Sequence, residues 1–148
     1  MDTKTINRYQ IAWDKHRAGY NCCTCVLFAF QDYLGLSDEQ CYAISSGLGG
    51  GLRMGEVCGA VTGAVMVLGM IAPHDPTGGS EGKQRNMRLT KAFEQRFQDK
   101  QGAVRCRDLK PRAEQYRPAA GIDGGGNCDW YIFTAVEILE ELIAQEEN

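Results

Sequence analysis

The chain has 148 residues, 43% apolar and 24% charged, with a formal charge of −3. That composition suits one domain with one buried core and a soluble, charged surface. Residues Met1 to Gln10 lack the basic-then-apolar order of an export signal, so a cytoplasmic location with reduced thiols is expected.

The periodicity is helical almost throughout, with no alternating strand pattern and no hairpin signal. A first helix is predicted from about Lys4 to Ala18, broken by Gly19 and Tyr20. Asn21 is an N-cap for a second helix from Cys22 to about Leu34, closed by Gly35. Ser37-Asp38-Glu39-Gln40 is a capping box that opens a third helix, to about Ser46. Gly47 to Gly51 is predicted as a mobile loop. A fourth helix runs from about Glu56 to Ile71. It lies in the longest uncharged apolar run, Val57 to Pro73, whose 17 residues include Cys58, Thr62 and three glycines. The run is at the short limit for a membrane span and reads as a buried core helix, so no membrane insertion is expected. Pro73 to Gly82 is turn-rich, and His74 lies in it. A fifth helix covers about Lys83 to Lys100, with Leu89, Phe93 and Phe97 on one face. A short turn falls near Cys106 to Leu109, and Pro111 to Gly126 is irregular. Asn127 is expected to cap a last helix from Cys128 to about Gln145. The whole predicts an all-α fold, a compact bundle of about five to six helices forming a single helical domain over residues 1–148.

Charge is uneven along the chain. Lys83 to Arg117 carries eleven Lys/Arg against four Asp/Glu, whereas Gly121 to Asn148 carries seven acids and no base. The basic stretch has no nucleic-acid motif, so no nucleic-acid partner is expected. Its charge is expected to pair with the acidic last helix. The glycine run Gly47 to Gly51 is not a phosphate-binding loop, because no Gly-Lys-Ser/Thr follows, and it comes after a helix rather than a strand. Its expected use is a close backbone approach or a hinge. Both histidines, His16 and His74, read as surface residues. There is no nucleophile elbow, no His–Glu zinc motif and no His placed to activate a thiol, and the carboxylates read as solvated, so hydrolysis has no signature.

Seven cysteines remain to be explained, an odd number that cannot all pair within one chain. Cys23 falls in the middle of the apolar face made by Val26, Leu27, Phe30 and Leu34, and Cys41 also reads as core. Cys25 lies on the far flank. The other four have placements that favour a thiolate. Cys22 and Cys128 each follow an asparagine at a helix start, and Cys58 lies in the opening turn of the fourth helix, where free N–H groups carry partial positive charge. Cys106 lies between Arg105 and Arg107. Gly59 and Gly63 would let another helix approach the Cys58 helix closely.

The pieces Gly19-Tyr20-Asn21-Cys22, Gly47-Leu48-Gly49-Gly50-Gly51 and Cys58-Gly59-Ala60-Val61-Thr62-Gly63 resemble the family of small proteins named for the pattern C_GCAxxG_C_C and described as redox-active. Cys106 and Cys128 fill its last two cysteine places, and the resemblance covers about residues 18 to 142. This chain reads Cys-Gly-Ala where the family name writes Gly-Cys-Ala. Cys23 and Cys25 stand where small non-cysteine residues are expected. The resemblance implies a redox protein with four key cysteines, Cys22, Cys58, Cys106 and Cys128. It implies an iron–sulfur cluster as the cofactor and a redox partner protein. Two other uses of the same residues stay open. One is a dithiol/disulfide redox protein without metal, and the other is a structural zinc site in a partner-binding module. The intervals of 36, 48 and 22 residues mean that the fold would have to assemble any such site. A role as an oxidoreductase component and assembly as a homodimer are both compatible with the sequence.

Overall fold

The computed structural model describes residues 6–112 and 128–147. Helix α1 (Arg8–Arg17) starts where the Asn7 side chain accepts from the Gln10 N–H, later than the predicted Lys4. Asn21 caps α2 (Cys22–Ala29) as expected, its Oδ1 accepting from the Thr24 N–H at 2.9 Å. The predicted second helix is broken at Phe30, whose φ of −119° leaves the helical range, so α3 (Gln31–Leu34) is a separate turn ended by left-handed Gly35. The capping box of Ser37 and Gln40 is present at the start of α4 (Asp38–Ile44).

The glycine run is not the loop the sequence suggested. It forms two tight turns, Ser46–Leu48 and Gly51–Gly55. Helix α5 (Gly59–Ile71) begins three residues later than predicted, with Cys58 at its N-cap. Helix α6 (Glu81–Gln101) buries Leu89, Phe93 and Phe97, the face read from the sequence. Helices α7 (Cys106–Leu109) and α8 (Asp129–Glu147) complete the set. The Asn127 cap and most of the predicted irregular stretch lie outside the described residues. Among those described, eight α-helical segments occur, more than the five to six expected, because of the break at Phe30 and the short α7.

One apolar cluster joins α1, α2, α5, α6 and α8. Two kinds of helix contact organise it. Helices α2 and α5 meet backbone to backbone, because Gly59 and Gly63 present no side chain. A Cβ on Gly63 would lie 2.9 Å from the Cys23 carbonyl oxygen. Helices α6 and α8 pack through side chains, and their outer edges carry the expected charge pairing: Arg85 and Arg88 with Glu146, Arg96 with Glu141, Lys100 with Glu137. No helix among the described residues is long and apolar enough to cross a membrane.

Candidate functional site: a cluster of cysteine thiols

Cys22 is the first residue of α2, and its Cβ would be 3.3 Å from a Cβ on Gly59. A side chain at Gly59 would therefore part the Cys22 end of α2 from the Cys58 end of α5. A second device ties Cys58 to Cys106. Val57 and Arg105 form an isolated antiparallel bridge, with the Cys58 N–H donating to the Val104 carbonyl at 2.8 Å and the Cys106 N–H to the Glu56 carbonyl at 2.7 Å. Helix α7 is held to α8 by the Tyr131 hydroxyl, which donates to the Leu109 carbonyl. Cys128 sits just before α8 with a positive φ of 80°, and its carbonyl accepts from the Tyr131 and Ile132 N–H groups.

These contacts bring the four singled-out cysteines into one neighbourhood. Cys22 faces both Cys58 and Cys128, and the charge of a Cys106 thiolate is felt at Cys58 and that of Cys128 at Cys106. Cys58 is buried and the other three are half-buried. Coupling to the Cys128 side chain, then burial, holds Cys22 well above the ordinary thiol range. The same coupling pulls Cys128 down to about 7, with His16 and Lys110 pulling the same way. Burial pushes Cys58 up to about 12, although the Ala60 and Val61 N–H groups oppose it. Burial and the neighbouring Cys128 also push Cys106 up, against Lys110.

The expectation that all four thiols are acidified thus holds for Cys128 alone. Two reasons apply: loss of water outweighs a helix start's partial charge, and neighbouring thiolates repel. The two arginines flanking Cys106 do not act on it as expected. Both are turned to Glu56, with Arg107 at 2.6 Å and Arg105 at 3.7 Å.

Two residues of this neighbourhood were misread from the sequence. Asp129 is 1% exposed rather than solvated, and it accepts from Arg17 at 2.6 and 2.7 Å. His16 is half-buried rather than fully on the surface; its Nδ1 lies 2.6 Å from Oδ1 of Asp129, which follows Cys128 in the chain. No local pattern announced the pair, because 113 residues separate them. His74 is exposed as predicted. Cys23 and Cys41 are core, as read, and the unassigned Cys25 is buried as well, its thiol pointing at the Tyr20 carbonyl.

Asn21 links the site to the glycine turns. Its Nδ2 donates to the Ser45 carbonyl at 3.0 Å, and Gly49 packs so tightly on it that a Cβ there would be 2.7 Å from the Asn21 Cβ. Cys106 opens onto a cleft of about 480 Å³ beside these turns. Among the described residues, no three His, Cys, Asp or Glu side chains are grouped so as to hold a single metal ion as they stand.

The family model described as "Putative redox-active protein (C_GCAxxG_C_C)" matches residues 20–142, and the chain belongs to that family. No curated protein and no solved structure matches it.

Proposed function

We propose that the protein carries electrons to or from a partner protein, and that Cys22, Cys58, Cys106 and Cys128 hold an iron–sulfur cluster. The observation that supports this reading most is the number of thiols gathered. A dithiol couple needs two, whereas here four thiols from four stretches of chain lie together in a largely buried place. Four thiolates there would repel one another, and a cationic centre is what removes that penalty. The donor set fits, since four cysteine thiolates are the usual ligands of such clusters. A bound cluster would supply one-electron transfer. The chain's own residues do the positioning: Gly59 permits the approach of Cys22, the Val57–Arg105 bridge sets Cys58 beside Cys106, and Lys110 offsets thiolate charge at Cys106 and Cys128.

The coupling of Cys22 to Cys128 favours a second reading, a dithiol/disulfide couple without metal. In it the Cys128 thiolate attacks a partner's disulfide and one partner thiolate leaves. Cys22 then gives up its proton and displaces the other partner thiolate. The products are a Cys22–Cys128 disulfide and a reduced partner. A structural zinc site on the same four residues has no observation of its own.

One measurement separates the three: iron, sulfide and zinc analysis with a visible spectrum on protein kept free of oxygen and reconstituted. The expected result is bound iron and sulfide with broad visible absorption, lost in Cys58→Ser. Colourless, iron-free protein overturns the cluster. A specific Cys22–Cys128 crosslink on mild oxidation then supports the dithiol couple, and one zinc per chain without redox response supports zinc.

A further inference from the structure

The cleft beside Cys106 has features that the four thiols do not explain. At about 480 Å³ it falls in the size range of small-molecule sites. Among the described residues its wall holds three cations, Arg53, Arg107 and Lys110, and no acid, while Gly49, Gly50 and Gly55 leave backbone open to a ligand. Arg107 is engaged, bonded to Glu56 and to the Met54 and Gly55 carbonyls. Arg53 donates to a neutral group, the Ser46 carbonyl at 2.8 Å. Neither Arg53 nor Lys110 has an ion pair among the described residues, in which Glu56 pairs with Arg105 and Arg107 instead. Lys110 acts on Cys106 and Cys128, so the thiols give it one role.

The backbone adds an independent sign. Gly50 and Gly51 have φ of 62° and 63°, and Leu52 and Arg53 continue that left-handed turn at 60° and 57°. For residues with a Cβ this conformation is strained. The fold thus keeps a long cationic side chain on the cleft wall at a position where glycine would be unstrained, and such strain collects at working sites.

We infer that this cleft binds a small anion with at least two negative charges, held between Arg53 and Lys110 against the Gly49–Gly50 backbone. The site does not depend on what the four cysteines hold. Phosphate and carboxylate groups share the required chemistry, and bidentate contact with the Arg53 guanidinium suits either.

The test is calorimetric titration of the full-length protein with inorganic pyrophosphate and, separately, citrate, at matched ionic strength. Saturable binding of at least one, tighter than about 1 mM, is expected. Binding of pyrophosphate alone assigns a phosphate ligand, and of citrate alone a carboxylate. Arg53→Gln and Lys110→Gln should each weaken binding about tenfold, as loss of one charge-assisted hydrogen bond does. Lys91→Gln, remote from the cleft, should leave it unchanged. Arg53→Gly should lose binding while keeping or raising the melting temperature. No saturable heat with either anion overturns the inference. So does wild-type binding by both cleft variants, or equal weakening by Lys91→Gln, which would mean diffuse charge attraction only. A fall in melting temperature in Arg53→Gly with binding intact would assign Arg53 to tethering Ser46 alone.

Discussion

The corner that gathers the thiols and the seam between α6 and α8 are held together by opposite means. At the corner, backbone touches backbone through Gly59 and Gly63, and a carboxylate, Asp129, is buried beneath half-buried His16 and exposed Arg17. At the seam, Phe93 and Phe97 fill the interior, and ion pairs such as Lys100–Glu137 lie at the edge, where each partner is about a third exposed. The difference teaches where this fold depends on single atoms. A buried charge or a missing Cβ has no substitute nearby, whereas rim charges face water and can be replaced by it.

The largest expected effect is Asp129→Asn. It removes a buried charge that meets Arg17 and His16, and should cost about 3 kcal/mol in urea unfolding. A loss as small as a rim mutation would erase the distinction between the two regions. Next is Gly63→Ala, whose Cβ would press on the Cys23 carbonyl and on Val26. About 2 kcal/mol should be lost, with reduced metal loading on reconstitution because the α2 and α5 starts part. An alanine that leaves both unchanged would show that the crossing is not tight.

A pH series sharpens the comparison further. In metal-free, reduced protein Cys58 and Cys25 are raised from 9.0 to about 12, and Cys23 to about 11, each chiefly by burial. A raised group contributes stability below its unfolded value and loses it as pH climbs toward the folded one. Stability should therefore fall from about pH 9 upward, by up to about 1.4 kcal/mol per pH unit for each such thiol. Unfolding at pH 8 and pH 10 measures it, and a flat profile would contradict the burial of these thiols. The smallest effect is Glu137→Gln at the seam, expected near 0.5 kcal/mol and absent in high salt. A loss above that of Gly63→Ala would reverse the ranking of the two regions.

The seam was largely legible in the sequence. Leu89, Phe93 and Phe97 recur at helical spacing, and a basic helix and an acidic one call for each other, so both the buried face and the outer ion pairs followed from local pattern. At the corner, the asparagine cap of α2 and the small residues of α5 were legible for the same reason. The ionisation of the thiols was not. A helix start and flanking arginines are local signs, but burial and thiol-to-thiol repulsion are set by what the rest of the chain places around them, and Glu56 took the arginines.

Periodicity, capping and close-packing glycines act over a few residues, so the helices and their caps could be read from the chain alone. Contacts across the fold couple Cys22 to Cys128, bury Asp129 against His16 and Arg17, and make the glycine turns wall a cationic cleft. Those contacts join segments far apart in the chain, and whether a group meets water or a partner there depends on the fold as a whole.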